Sequence, residues 1–205
     1  MEFLGSQRFL IGGPDFETEK LTAYEAGTRL RPLSRLSLSM SFFYNVYDDL
    51  RSIEIAPAFL PLRWGNGMDG RTYGLEAWGE LQAASWWRLS PSITYLQEKF
   101  NFKPGSSGLL GTPEAADDPK YQASLKSSMD IGKAWLLDLQ LRYVSDLPDP
   151  HVPSYVELNG RLAWNLSDRL TLALTGRNLL HDRHMEYEQG AYIPRSALAV
   201  IQCRF

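Results

Sequence analysis

Three histidines, one cysteine and a scatter of carboxylates are all this chain offers for metal, acid–base or nucleophilic chemistry. His181 and His184, with Asp182 and Glu186, are metal-ligating types within six residues. They stand in a stretch without periodicity that specifies no coordination geometry, and they read as solvated loop residues. Asp48-Asp49 and Asp117-Asp118 are calcium-type donors, yet paired loop acids are ordinarily just solvated. His151 lies between Pro150 and Pro153, away from any serine motif. A phosphate-cradling glycine loop and a nucleophile elbow are both missing. Cys203 has no partner for a disulfide and reads as a small apolar filler. The expectation is no cofactor, no resident metal and no enzyme.

A second set of residues is more informative. Glu25, Arg29, Glu76, Asp138, Arg142, Glu157, Arg161 and Arg177 sit within runs where apolar and polar residues alternate. A dry core would not tolerate such charges unpaired, whereas a watered sheet face does. These eight are the candidate lumen-facing polar residues of a barrel wall.

The elements that must position them are strands. Leu21 to Arg31 alternates, and Pro32-Leu33-Ser34-Arg35 turns. From Leu36 to Tyr47 the residues Leu36, Leu38, Met40, Phe42, Tyr44 and Val46 point one way, with serines and Asn45 on the other side. This is the cleanest period-two signal in the chain. Residues 48–70 read as a long loop, broken by Pro57, Pro61 and Gly65-Asn66-Gly67. Further strands are expected over 71–82, 87–100, 121–131, 135–144, 155–164, 169–180 and up to 205. Short turns near 84–86, 132–133 and 165–168 alternate with long loops at 103–119, 146–153 and 181–193. Tryptophans gather at the short-turn ends (Trp86, Trp87, Trp135, Trp164) and tyrosines at the long-loop ends (Tyr47, Tyr121, Tyr143, Tyr155). Two aromatic belts one strand apart match the two interfaces of a bilayer. The expected fold is all-β, an antiparallel transmembrane barrel portion of about nine meander strands. The long loops are expected outside the cell and the short turns in the periplasm.

Composition agrees. Hydrophobic residues make up 44% of 205, and no apolar run approaches the roughly 20 residues a spanning helix needs. A net charge of −3 gives no broad invitation to nucleic acid. The first ten residues lack a basic leader and an apolar core. An exported barrel needs a signal, so the chain reads as a fragment or as starting downstream of its true origin.

Asp15 to Gly27, with Tyr24, Glu25, Gly27 and Arg29, resembles an element of TonB-dependent outer-membrane receptors in which an acidic loop precedes a Tyr-Glu-x-Gly-x-Arg strand. Phe43 to Leu50 looks like that family's following strand, Gly74-Leu75-Glu76 is similar to its next, and Gly176 to His184 looks like its penultimate one. The terminal Phe205 resembles the aromatic end such barrels present to their assembly machinery. The resemblance covers residues 12–205. It implies the C-terminal part of a barrel of about 22 strands around a plugged lumen, with residues 1–20 an external loop or truncated start and 21–205 barrel wall. It further implies the Gram-negative outer membrane, contact with its lipid and with the assembly machinery, reach to TonB only through an absent N-terminal plug, and a metal-siderophore as ligand. Two other readings stay open. A small free-standing barrel with a structural or adhesive role would need a tenth strand, for which Phe9-Leu10-Ile11 is the candidate. A barrel lipase or protease would need a Ser/His/Asp set.

Overall fold

A computed structural model describes residues 9–12, 15–55, 61–109, 111–112, 117–149, 151–187 and 191–205. Nine strands form an antiparallel meander: β2 (Lys20–Leu33), β3 (Leu36–Glu54), β4 (Leu62–Ala84), β5 (Trp87–Phe102), β6 (Tyr121–Ile131), β7 (Trp135–Val144), β10 (Tyr155–Ser167), β11 (Leu170–Arg177) and β14 (Ser196–Cys203). Each pairs with its predecessor and successor, so the sheet order ends at β2 and at β14. Two hairpins decorate the connections, β8 (Leu147–Pro148) with β9 (His151–Val152), and β12 (Arg183–Met185) with β13 (Tyr192–Pro194).

Contacts divide the chain into two units: residues 1–25, 43–73 and 97–117 in one, and 26–42, 74–96 and 118–205 in the other. In the second, register explains the alternation. β7 and β10 place Asp138 opposite Arg161, Gln140 opposite Asn159 and Arg142 opposite Glu157. The intervening positions place Leu137 opposite Leu162 and Leu141 opposite Leu158. A one-residue slip would set charges against leucines, so the polar rows hold register as firmly as the apolar ones. Trp135 opposes Trp164, their rings stacked 5.0 Å apart and 4° from parallel, and Trp86 stacks on Trp87 at 6.0 Å. Tyr95, midway along β5, packs on Tyr121 at the start of β6, 5.2 Å between centroids. Gly27 lets the β3 backbone come close; a Cβ there would lie 3.2 Å from the Met40 carbonyl oxygen.

Little is buried in either unit. Among described residues the buried apolar side chains are Met68, Val144, Val152 and Ala163, while Leu174 is 55% and Ile201 71% exposed. A soluble sheet with leucines bare along one face would aggregate.

Several expectations change. Residues 48–70 are mostly strand: β3 runs to Glu54 and β4 starts at Leu62. Strands of 19 and 23 residues exceed the 9–11 or so that cross a bilayer. The apolar row of β3 ends at Val46, so the alternation that marks a spanning stretch stops before the strand does. Gly65 and Gly67 read as breakers because their reason is not local: a Cβ at Gly65 would lie 2.7 Å from Glu54 Cγ. The stretches 146–153 and 181–193 carry hairpins. Leu10–Ile11 forms β1, a two-residue parallel bridge to Leu62 and Arg63 on β4, in place of a tenth meander strand.

Candidate functional site

The eight predicted polar residues fall into two groups. Two cross-strand pairs come together on the polar face of β7 and β10. Arg161 reaches Asp138 at 3.6 Å, and the Arg142 guanidinium donates to Glu157 at 2.8 Å and also to Glu186. Glu25, Glu76 and Arg177 are exposed on β2, β4 and β11, and Arg29 donates to Ser39 Oγ at 3.2 Å. Asp138, Arg161 and Arg177 line an open cleft of about 450 Å³ with Lys126. Phe205 lies beyond β14, wholly exposed.

Sequence reading placed His184 in solvent; it is 8% exposed. Its ring lies on Tyr155, 4.5 Å between centroids, and its Nε2 is 2.7 Å from Glu186 Oε1. Because Glu186 also accepts from Arg142, the histidine belongs to an ion-pair cluster that ties β12 to β7 and β10. Among described residues no three metal-ligating side chains converge.

Asn178 was missed as an anchor. It is fully buried at φ +53°; its amide N–H donates to Asn159 Oδ1 (2.9 Å) and its Nδ2 to the Ile193 carbonyl (3.0 Å). Asparagine tolerates the left-handed region better than most residues, so this side chain both ends β11 and pins β13. Its place in the Asn-Leu-Leu run was the available signal. Asn178→Ala should cost about 0.5–1.5 kcal/mol by removing the bond from its buried side chain to the Ile193 carbonyl. Chemical unfolding in detergent checks this, and an unchanged midpoint would mean the anchor contributes nothing.

The first unit holds a denser polar construction. Asp49, at φ +60°, accepts from Lys20 at 2.6 Å and from Lys103, which also reaches Asp69 at 3.2 Å. Hydrogen bonds from Lys103 and then Lys20 hold the Asp49 carboxyl down at about 2. Asn66 accepts from the Glu17 amide and donates to the Glu17 and Asp49 carbonyls. Glu54 accepts from Ser52 Oγ, Ser106 Oγ and the Ser107 amide, each at 2.6 Å. Burial pushes the Glu54 carboxyl up, but the bonds from Ser106, Ser107 and Ser52 outweigh it and leave it below the usual carboxylate range. Both carboxyls are depressed, so their stabilisation is complete above the ordinary carboxylate range and is lost as pH falls through it, down to about 2 for Asp49. Protection of the Ser107 amide from hydrogen exchange, taken relative to the intrinsic rate at each pH, should therefore fall on acidification, and Glu54→Gln should lower that protection already at neutral pH. Equal exchange in both proteins would remove Glu54 as the latch.

Beside this construction lies a cavity of about 340 Å³, walled by Tyr47, Trp64, Phe100 and Phe102, with Glu19 and Arg51 on its border. The Arg51 guanidinium sits over the Trp64 ring at 4.9 Å, and Tyr47 and Phe100 pack at 5.9 Å. The volume falls in the small-molecule range.

Leucines bare along one face and ion pairs along the other have one solvent arrangement that satisfies both: hydrocarbon against the first, water against the second. The second unit is thus transmembrane β-barrel wall. The family model described as TonB dependent receptor-like, beta-barrel, matches residues 3–179, and the chain belongs to that family. It is an outer-membrane protein segment. No curated protein matches the chain. Solved structures share the fold. The pyoverdine outer-membrane receptor FpvA of Pseudomonas aeruginosa PAO1, bound to pyoverdine, matches with TM-score 0.72 and 15% identity over 93% of this chain and 30% of that one. The ferric-catecholate import receptor Fiu of E. coli K12 gives 0.71 and 15% over 93% and 28%. The siderophore receptor PiuA of Acinetobacter baumannii gives 0.71 and 19% over 89% and 28%. The chain thus spans less than a third of the length of these receptors.

Proposed function

We propose that this chain is the C-terminal stretch of wall of a receptor barrel that imports an iron-siderophore or a similar scarce nutrient, and that it does not transport alone. The family match over residues 3–179 carries the reading. Among the fold neighbours are a pyoverdine receptor, a ferric-catecholate import receptor and a siderophore receptor, which supports the ligand class. Residues 21–205 supply wall, with the polar faces of β2 to β14 turned to the lumen and the leucine rows to lipid. Engagement of TonB runs through a plug supplied by other sequence, and Phe205 is presented to the barrel-assembly machinery. Catalysis has no part in this reading.

The experiment is growth on low iron. Cells lacking their other iron importers, and producing the chain with its natural upstream sequence, should grow when a ferric siderophore is supplied. They should stop growing when residues 21–205 are removed. Growth that ignores the deletion would end the receptor reading.

Orientation has its own test. The connections after β2, β4, β6 and β10 are two or three residues, and those after β3, β5, β7 and β11 are longer. Short turns face the periplasm in barrels of this kind. Protease added to intact cells should cut within 103–119 and 181–193 first. Cleavage after Lys133 from outside would invert the wall.

A further inference from the structure

The two units differ in charge. Residues 1–25, 43–73 and 97–117 carry twelve Asp and Glu against seven Lys and Arg, five negative charges in excess. The remaining residues carry twelve acids against fourteen bases, two positive charges in excess. The whole-chain value of −3 hides this asymmetry. Part of this acidic excess lies at the aromatic cavity, where Glu19 and Glu98 belong to the lining. Glu19 borders it and its carboxylate accepts from the Arg51 amide at 2.8 Å, while Asp48 and Glu17 are exposed within the same unit. The cavity already seats a cation on a ring, in the 4.9 Å approach of Arg51 to Trp64. Aromatic faces bind positive groups and carboxylates reinforce them. The lining itself carries Glu19 and Glu98 against Arg51, and a concave site with an excess of one sign attracts ligands of the other sign and slows those of its own.

Resting on the receptor reading above, we infer that the ligand received by this unit carries no net negative charge: a neutral or cationic metal chelate of the trihydroxamate kind, not a tris-catecholate. The chemistry separates the two. Each hydroxamate bears one negative charge on binding, so three of them neutralise ferric iron, and a pendant amine makes the complex cationic. Each catecholate bears two, so three leave the ferric complex triply negative. A triply negative complex meets repulsion from the acidic excess of this unit, Glu19 and Glu98 among it, where it docks on Tyr47, Trp64, Phe100 and Phe102. A cationic hydroxamate complex is steered in and finds π faces for its ammonium group.

The test uses the purified receptor with its natural upstream sequence, and two probes: the ferric complex of an amine-bearing trihydroxamate and a ferric tris-catecholate. Association is followed by quenching of tryptophan fluorescence. The hydroxamate complex should associate on the order of tenfold faster or more at low salt, and its rate should fall as salt is added. The catecholate rate should rise with salt. The pair Glu17→Gln and Asp48→Asn, both outside the cavity lining, should narrow the gap between probes and flatten both salt slopes. A catecholate that associates faster, or a gap unmoved by the two neutralisations, overturns the charge assignment and leaves the receptor reading standing. Failure of both complexes to bind overturns the receptor reading and this inference with it.

Discussion

Arginine in place of Leu139 is expected to destabilise the folded barrel by about 2–4 kcal/mol, the cost of a cation near the bilayer midplane on the lipid face. Leu139 stands opposite Gly160 on β10 and Ser127 on β6, and Leu172 stands between Trp164 and Ile201. Leu139 is a mid-strand position in an apolar row, far from an interface to which an arginine could snorkel. Leu172, the third residue of β11 and level with Trp164, lies near the short-turn interface, where the same change should cost about 0–1 kcal/mol. The same change at Gln140 or Thr171 should cost far less than at Leu139. Gln140 faces Asn159 and Lys126, and Thr171 bonds to Asn165 at 2.8 Å, so both lie in rows that already hold water-compatible groups. Reversible unfolding of the receptor in lipid or detergent measures all four. Equal costs at Leu139 and Gln140 would mean the apolar rows do not meet hydrocarbon.

The second large effect is all or none. Residues 1–205 expressed alone behind a signal peptide should neither migrate as a heat-modifiable monomer nor support siderophore-dependent growth. The sheet order ends at β2 and β14, and among the described residues no pairing joins them. All fourteen residues of β2 and all eight of β14 are exposed. In hydrocarbon each unpaired peptide group costs several kcal/mol, so two open edges do not persist there. Nine strands also fall short of the circumference of a barrel of about 22. The isolated chain should aggregate, oligomerise or be degraded. A heat-modifiable monomer that restores growth would make these residues a complete transporter.

The period-two rows of Leu36 to Val46 and of Trp135 to Val144 were legible because alternation is a local property: each side chain's face follows from its position along its own strand. The tryptophans at the short turns were legible for the same reason, since a turn and its flanking residues are neighbours in sequence. The pairing of those tryptophans into stacks was not, because it depends on register between strands. The hairpin beyond Val46 was misread as loop. Gly65 and Gly67 there are not flexible breakers but cleared ground for the Glu54 carboxylate, contributed by a different strand. His184 was misread for a parallel reason. Nothing beside it in sequence announces Tyr155 or Arg142, which bury it and complete its ion-pair cluster.

By itself, then, the order of residues determined which residues share a face of each strand, where the short turns lie, and the family to which the wall belongs, because hydrophobic alternation and turn chemistry act over a few residues. Tertiary structure alone decided which charges are paired, that Asn178 anchors the last long connection, and that Tyr47, Trp64, Phe100 and Phe102 share one cavity inside an acidic unit. Those facts require residues dozens of positions apart to be brought within a few ångströms, and only strand register sets that distance.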